Sequence, residues 1–180
     1  MKICVNFFLL TALLGFTELY AQEHSEEEHK EFKNHRISIT LSHTHVPRGI
    51  DNDGSSGSLI IPSWGLNYEY WFNHNWAIGM HNDMEITSYV ITERNDVILE
   101  RERPFIVSIV GIYKFNSGLE ILTGFGYELE KHENFMVFRL GVEYEFELGK
   151  EWDLAPGIVF DAKEDIYSSY TLGLTVGKRF

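Results

Sequence analysis

The sequence has little cysteine, little proline and few basic residues. Its 180 residues include one Cys, at position 4, and four Pro. A single cysteine excludes a disulfide framework and a cysteine-based zinc site, and four prolines exclude a collagen-like or proline-rich disordered class. There are 15 Lys and Arg against 27 Asp and Glu, which gives a formal net charge of −12. We therefore expect no nucleic-acid partner, because a phosphate backbone requires a basic face.

The first residues have the pattern of an export signal. Lys2 precedes an almost wholly apolar run at 3–16, and Ala21 precedes Gln22. As a helix the run would extend about 21 Å, and a bilayer core requires about 20 apolar residues. The positive charge, the short apolar run and the small residue at its end together predict a secretory signal peptide at 1–21, which is cleaved near Ala21. Cleavage would leave a mature chain without cysteine.

Residues 22–35 form a polar segment that we predict to be a flexible lead, because it has too few apolar side chains to order itself. It carries His24, His29 and His35 among glutamates. Imidazole and carboxylate groups can bind zinc or copper. Their spacing matches no closed site, so we expect a solvated segment without a cofactor, with these histidines as candidate metal ligands.

From residue 36 to residue 180 apolar and polar residues alternate with period two, which predicts strands with two different faces. In the clearest segment Leu140 and Val142 share one parity, and Arg139 and Glu143 share the other. There are eight such segments. Their first apolar residues are Ile37, Ile60, Trp76, Phe105, Leu119, Met136, Trp152 and Tyr170.

The connections alternate between short and long. Tight turns are predicted at 73–75, 116–118 and 149–151. Of the other connections, those at 46–57 and 91–104 are long, the one at 162–168 is moderate and the one at 131–134 is short. The connection at 91–104 is expected to extend a hairpin with its tip near Asn95 and Asp96. Short turns and both chain termini then fall at one end. This pattern predicts an all-β fold, an eight-stranded antiparallel up-and-down transmembrane barrel spanning 36–180.

The strands of a soluble lipocalin-like barrel also alternate apolar and polar residues, but their apolar face points to the inside of the barrel. Three features favour the membrane form. Aromatic residues cluster beside the short turns, the strands reach the roughly 9–11 residues needed to cross a bilayer, and glycines on the polar face suit a narrow lumen. We therefore expect Leu140, Val142 and Leu174 to contact outer-membrane lipid in a monomeric barrel. The clustered aromatic residues are Phe72, Trp76, Phe115, Trp152 and Phe180.

The last strand carries a family resemblance. Residues 170–180, YTLGLTVGKRF, resemble the C-terminal sorting signal of bacterial outer-membrane barrels, which ends on an aromatic residue. The chain from Arg36 to Phe180 resembles the small eight-stranded barrel proteins of Gram-negative bacteria, and its YEFE and GKRF segments are similar to uncharacterised Bacteroidetes barrels of porin-like type. The resemblance implies an outer-membrane location and recognition by the barrel assembly machinery through the strand ending at Phe180. It implies architecture and no activity.

Eight strands enclose a lumen just wide enough for side chains, so we expect a closed interior in which buried charges pair. Hairpin geometry places Arg139 opposite Asp161, Lys114 opposite Glu120, and Glu147 opposite Asp153, with Lys114 or Arg179 as the cation for the last pair. The predicted lumen charge network consists of Glu69, His81, Asp83, Glu85, Lys114, Glu120, Arg139, Glu143 and Asp161.

The sequence favours a non-enzymatic barrel with a structural or surface-interaction role. One alternative is a lipid-modifying enzyme of the lipid A deacylase or acyltransferase type, for which Ser42, His43, His45 and Ser63 lie near the outer rim. The other alternative is a metal- or ligand-binding barrel. His43 and His45 have lipid-facing parity, so we expect them at the outer interface or at a bulge. Pro62 and Pro156 are expected at bulges or at the rim.

Overall fold

The computed structural model describes residues 32–50, 56–92, 98–131, 133–164 and 166–180. The predicted signal peptide, the lead up to residue 31 and the predicted hairpin tip at Asn95 and Asp96 lie outside these residues. The strands, in chain order, are β1 His35–Ile50, β2 Ser56–Trp71, β3 Trp76–Glu85, β4 Tyr89–Thr92, β5 Ile98–Arg101, β6 Phe105–Lys114, β7 Leu119–Leu129, β8 Phe135–Tyr144, β9 Phe146–Gly149, β10 Trp152–Lys163 and β11 Tyr167–Arg179. Within the described residues there is no helix that could cross a membrane.

Eight of these strands form a closed antiparallel barrel. Strands β1, β2, β3, β6, β7, β8, β10 and β11 each pair with the next, and β11 pairs with β1 from Arg36↔Arg179 to His45↔Tyr170. Strand β9 continues β8 after a break at Glu145 and pairs with the first residues of β10. The predicted all-β, eight-stranded architecture is therefore confirmed.

The three short turns and both ends of the barrel domain lie together, at what we call the turn end. Backbone hydrogen bonds join neighbouring turns there. Lys114 N–H donates to Asn75 O over 2.8 Å, and Glu145 N–H donates to Gly118 O over 2.8 Å. Gly118 has φ +89°, which L-residues with side chains rarely adopt. The opposite end of the barrel, with the longer connections, is the loop end.

A small sheet projects from the loop end. Strands β4 and β5 pair as a hairpin, from Tyr89↔Arg101 to Thr92↔Ile98. The hairpin adds to β1 through the pair Gly49↔Ile91. Because β1 and β2 continue past the last β2–β3 pair, strands β5, β4, β1 and β2 form a four-stranded sheet beyond the barrel wall, which we call the outer sheet.

The two faces of the barrel have the polarity of a membrane protein. Large apolar side chains point outward, including Leu41 at 69%, Ile60 at 70% and Phe125 at 65% exposure. Charged side chains point inward, including Arg36 at 1% and Arg139 at 3% exposure. In water this arrangement would expose far more apolar surface than soluble proteins tolerate, and in lipid it is the stable one.

Pro62 and Pro156 lie at positions where the pairing between strands can do without a backbone N–H donor. Pro62 lies one residue beyond the pair Ser63↔Glu85 that ends the β2–β3 ladder. Its register with His43 on β1 is continuous, so no bulge forms there. Pro156 lies between the residues of β10 that pair with β9, which end at Leu154, and those that pair with β8, which begin at Gly157.

Candidate functional site: the closed lumen

The lumen is blocked near the turn end by Arg36. Its Nη1 lies 2.6 Å from Glu69 Oε1, while its Nε and Nη2 donate to the two Asp153 oxygens over 3.0 and 2.6 Å. Trp71 Nε1–H donates to the second Glu69 oxygen over 2.9 Å, and His81 Nε2 lies 3.3 Å from the first. Arg36 thereby joins β1 to β2 and β10 across the interior, and two carboxylates share one guanidinium.

A second cluster at the turn end has the opposite stoichiometry. Glu145 binds both Lys114 and Arg179, with Arg179 Nη2 at 2.6 Å from Glu145 Oε2. The Arg179 guanidinium carbon lies 4.4 Å from the centre of the Trp71 ring, within cation–π range. Glu120 lies opposite Lys114 in register, and its Oε1 is buried without a hydrogen-bond partner among the described residues. One carboxylate therefore holds two cations at this end of the barrel.

Arg139 crosses the middle of the lumen. Its Nε and Nη2 each donate to an Asp161 oxygen over 2.8 Å, which is the bidentate geometry of a strong pair. Its Nη1 donates to Asp83 Oδ2 over 2.5 Å. Each of the three guanidinium nitrogens donates to a carboxylate of β3 or β10, so this side chain is held across the interior.

Near the loop end the central group is Glu128, which is fully buried. Arg101 of β5 binds it directly, Lys163 Nζ lies 2.9 Å from Oε2, and Tyr167 Oη–H donates to it over 2.7 Å. Lys163 also lies 3.7 Å from Glu85 Oε1. This network ties the β4–β5 hairpin to barrel strands β7, β10 and β3.

An apolar cluster covers the network at the loop end, and we call it the cap. Its members come from β1, β2, β4, β8 and β11, so it extends across the mouth of the barrel. Tyr89 Oη lies 3.1 Å from Tyr167 Oη beneath it. Burial raises the pKa of Tyr89 well above its ordinary value, with the nearby Glu85 charge acting in the same direction. The cap consists of Val46, Ile61, Tyr89, Ile91, Phe135 and Tyr167.

One side of the lumen is apolar, which the sequence analysis did not anticipate. Ile106, Val110 and Ile112 of β6 and Leu122 of β7 all point inward and are at most 3% exposed. Gly126 lies beside this wall, where an added Cβ would come within 2.7 Å of Ser108 Cα. The charged clusters therefore lie against a dry wall that excludes water from one side.

A cavity remains between the Arg36 and Arg139 clusters. It has a volume of about 30 Å³, which is room for about two water-sized particles. A solute channel requires far more space. The lining consists of Thr40, Asn67, His81, Asp83, Arg139, Glu143, Gly157, Val159, Thr171, Gly173 and Thr175.

The structure places all nine predicted network residues on inward-facing positions of the strands and pairs several of them. Arg139 lies opposite Asp161 and binds it. Lys114 lies opposite Glu120 in register, but its ion pair is with Glu145. The inward facing of the nine residues therefore agrees with their parity in the sequence. Their individual partners depend on how far each side chain extends across the interior.

Glu147 lies opposite Asp153, as the hairpin geometry predicts, but its side chain is exposed. The pairing with β10 keeps one register from Glu143↔Gly157 to Glu147↔Asp153, and Phe146 and Leu148 are exposed like Tyr144, so the facing does not change after Glu145. Glu147 is exposed because it lies two residues before Gly149, at the turn end. The predicted cation is wrong. The cation for Asp153 is Arg36, and neither Lys114 nor Arg179 serves it.

Sequence reasoning missed several members of the network. Arg36 has the same parity as Ser38 and Thr40, so the alternation pattern could have identified it as an inward-facing residue. Arg101 and Lys163 fell in segments that the pattern assigned to loops. Their strands extend further than alternation alone indicates. The residues left out are Arg36, Arg101, Glu128, Glu145, Lys163 and Tyr167.

Of the candidate metal ligands, His24 and His29 lie outside the described residues. His35 begins β1, and its Nδ1 is 2.7 Å from Tyr68 Oη. Its ring stacks on Phe180, with centroids 5.5 Å apart. His35 thus belongs to the aromatic girdle at the turn end. Among the described residues no group of three or more His, Cys, Asp or Glu side chains is arranged to hold a metal ion.

The residues considered for lipid chemistry divide between the two faces. Ser42 and Ser63 face the lumen, with their hydroxyl oxygens 2.8 Å apart. His43 and His45 face outward, as their parity predicted. At about 3.3 Å per residue and a tilt of about 40°, they lie roughly 20–25 Å above His35, at the edge of an apolar band about 25 Å tall. His45 Nε2 contacts Ser58 Oγ on this outer face.

No protein-family model and no curated protein matches the chain. Among solved structures it is similar to Ail, the attachment invasion locus protein of Yersinia pestis, in complex with the heparin analogue sucrose octasulfate (TM-score 0.56, 16% identity, covering 83% of this chain and 100% of that one). It is also similar to Neisserial surface protein A (TM-score 0.54, 11% identity, covering 81% and 97%). A third similar structure is the N-terminal barrel domain of Pseudomonas aeruginosa OprF (TM-score 0.54, 10% identity, covering 83% and 100%). The chain has the fold of the small bacterial outer-membrane β-barrels.

Proposed function

We propose that this protein is an outer-membrane barrel that conducts no solutes and anchors the outer sheet at the cell surface for contact with other molecules. In this proposal the turn end faces the periplasm, the loop end faces the exterior, and residues 1–21 are removed on export. The C-terminal strand delivers the chain to the barrel assembly machinery. No step of bond-making or bond-breaking is assigned to the lumen.

The observation that carries the proposal is the closure of the lumen by successive layers. Arg36, Arg139 and Arg101 each bind at least one carboxylate from another strand, and the cap lies above the last of them. A guanidinium held by two carboxylates cannot move aside without leaving a buried charge unpaired, which costs several kcal/mol. In this proposal the outer sheet lies outside the cell, and among the described residues it is the part of the molecule that a surface partner would meet.

Conductance in planar bilayers tests the closure. The purified barrel should give no stable conductance steps, while a general porin inserted from the same detergent should give them. A matched variant, Ile91→Asp, places a carboxylate in the cap and should raise the frequency of brief openings. Large, long-lived steps from the unaltered protein would contradict the closed lumen.

Surface labelling tests the orientation, and the absence of cysteine from residues 5–180 makes single-cysteine variants straightforward. Lys131→Cys lies at the loop end and Ser117→Cys lies in a turn at the turn end, and both parent side chains are exposed. A membrane-impermeant maleimide applied to intact cells should label the first variant only. Both should be labelled after lysis. Labelling of Ser117→Cys on intact cells would reverse the orientation.

The charge of the loop end limits the kind of partner. Its described charged side chains are mainly acidic, with Glu100, Glu102, Glu133 and Glu164 against Arg103 and Lys131. A polyanion, such as the sucrose octasulfate bound by Ail, would be repelled by this surface. We therefore propose that a partner presents cationic or neutral groups. Cells displaying the protein should bind polylysine-coated beads better than heparin-coated beads, and preference for heparin would refute this.

A second candidate function is cleavage of a lipid ester at the outer interface, and the contact between His45 and Ser58 favours it. A hydroxyl next to an imidazole is the core of a nucleophile–base pair. Incubation with ester-containing phospholipid or lipid A, followed by mass spectrometry, tests it. Release of fatty acid by the unaltered protein, lost in Ser58→Ala and retained in Ser63→Ala, would establish this activity. No release would exclude it.

A further inference from the structure

The charges inside the barrel do not balance, and the imbalance is largest in one layer. Near the loop end Arg101 and Lys163 pair with Glu85 and Glu128, and Arg101 also lies 3.5 Å from Glu130 Oε2, which leaves an excess of one carboxylate there. In the middle layer Arg139 is the one cation of the Lys or Arg type among the described residues, and it already serves both Asp83 and Asp161. Glu143 lines the cavity in the same layer. Three carboxylates against one guanidinium leave an excess of two negative charges around the cavity.

Glu143 is the group in this layer without a partner. Its side chain belongs to a residue that is 9% exposed, yet it makes no ion pair and no hydrogen bond with any residue that the structure describes. The nearest candidates are committed elsewhere. His81 Nε2 is turned toward Glu69 at 3.3 Å, and Arg36 binds Glu69 and Asp153. An unpaired buried carboxylate is costly, so the free space beside it requires an occupant that supplies positive charge.

The other groups around the cavity define what that occupant is. Hydroxyl groups come from Thr40, Thr171 and Thr175, and a second carboxylate comes from Asp83. Asn67 also lines the cavity, with its Oδ1 accepting a hydrogen bond from Asn82 N–H. Carboxylate, hydroxyl and carbonyl oxygens, together with water, are the ligands of hard cations. The single imidazole of His81 is too few nitrogen ligands for a transition-metal site. A cavity of about 30 Å³ has room for one ion and a water molecule.

We propose that the lumen binds one hard divalent cation of the calcium type, held against Glu143 in the cavity between the Arg36 and Arg139 layers. A divalent ion matches the excess of two negative charges. Ca²⁺ fits better than Mg²⁺ because donors from four strands form an irregular set, whereas Mg²⁺ requires near-ideal octahedral geometry. The bound ion neutralises the layer and links β1, β3, β8 and β11, so it stabilises the folded barrel.

Urea unfolding with and without the ion tests the proposal. The barrel, folded in a zwitterionic detergent and freed of metal with EDTA, is titrated with CaCl₂, MgCl₂ or NaCl at matched ionic strength. CaCl₂ should raise the midpoint in a saturable manner, with MgCl₂ weaker and NaCl without saturation. Equilibrium dialysis with radioactive Ca²⁺ should give one ion per barrel. Glu143→Gln removes the main ligand charge and should weaken binding by at least about tenfold, while its midpoint without metal rises because an unpaired charge is gone.

Glu147→Gln is the matched control, because it makes the same chemical change on an exposed side chain of the next strand. It should bind Ca²⁺ as the unaltered protein does. If Ca²⁺ changes neither the midpoint nor the dialysis result, the proposal is wrong, and the layer is neutralised by protons. The same conclusion follows if Glu147→Gln loses binding and Glu143→Gln retains it.

Discussion

The guanidinium of Arg139 is predicted to be the most costly lumen side chain to remove. Arg139→Ala would leave Asp161 and Asp83 in a layer with no other lysine or arginine among the described residues. Arg139 and Asp161 are 3% and 2% exposed at the side chain, so solvent cannot replace the lost partner. Breaking a buried pair by removing one member costs about 3–5 kcal/mol. Because two carboxylates lose their partner here, we expect a loss at the upper end of that range.

A double-mutant cycle isolates the pair. Asp161→Ala alone leaves Arg139 bonded to Asp83 and should cost less than Arg139→Ala. The combined variant removes both ends of the bidentate contact and should be more stable than the sum of the single losses by roughly 1–3 kcal/mol. Free energies of unfolding would come from urea titrations in detergent micelles, followed by tryptophan fluorescence. The barrel contains four tryptophans as reporters.

Arg103→Ala is the control for Arg139→Ala. Its side chain is 58% exposed and lies 3.9 Å from Glu102, so its removal should change the free energy of unfolding by less than about 0.5 kcal/mol. Losses that add within about 0.5 kcal/mol in the Arg139 and Asp161 cycle would show that the two side chains stabilise the barrel independently. The argument that this pair closes the lumen would then fail.

Alternation identified the facing of most side chains because a strand has a side-chain period of two. On β8 it separated outward Leu140 and Val142 from inward Arg139 and Glu143 without error. The hairpin turns then fixed register between neighbouring strands, which was enough to place Arg139 opposite Asp161. These inferences succeed because they depend on local geometry, and the barrel preserves that geometry from one hairpin to the next.

The errors have two physical origins. Parity gives the face on which a residue lies and not its depth in the barrel, so Glu147 was placed in the lumen although it is exposed near the end of β9. The pair Arg36–Asp153 joins residues 117 positions apart. It exists because β1 closes against β11 and brings both side chains into one interior. Which cation reaches which carboxylate inside a crowded lumen depends on side-chain length and direction, and a hairpin argument contains neither.

The part that β4 and β5 play in closing the lumen was the hardest feature to predict from the sequence. Residues 91–104 were expected to form a projecting hairpin, and the pairing of β4 with β5 agrees with that. The hairpin also supplies Ile91 to the cap and Arg101 to the Glu128 network. A short strand with both apolar and charged residues gives no periodic signal of folding back over a barrel mouth. Only the tertiary arrangement distinguishes a free loop from one that closes the lumen.

Three further perturbations test the facing, the assembly and the closure of the barrel. Leu140→Arg should cost about 2–4 kcal/mol more than Leu140→Ala, because a charge at a mid-bilayer lipid-facing site is penalised; equal unfolding free energies would refute the facing. Deletion of Phe180 should reduce assembled barrel in outer-membrane fractions and leave export intact, as heat-modifiable mobility on gels would report. The last concerns Tyr89, whose pKa is raised by burial and by the Glu85 charge. A tyrosine with a raised folded-state pKa stabilises the fold fully below its unfolded pKa of about 10, and that stability is lost as pH rises toward the folded value. The free energy of unfolding should therefore fall more steeply between about pH 10 and 12 in the unaltered protein than in Tyr89→Phe. Tyr127→Phe, at a side chain that is 55% exposed, should keep the steep fall. The same slope in all three proteins would show that the cap does not hold Tyr89 in its neutral form.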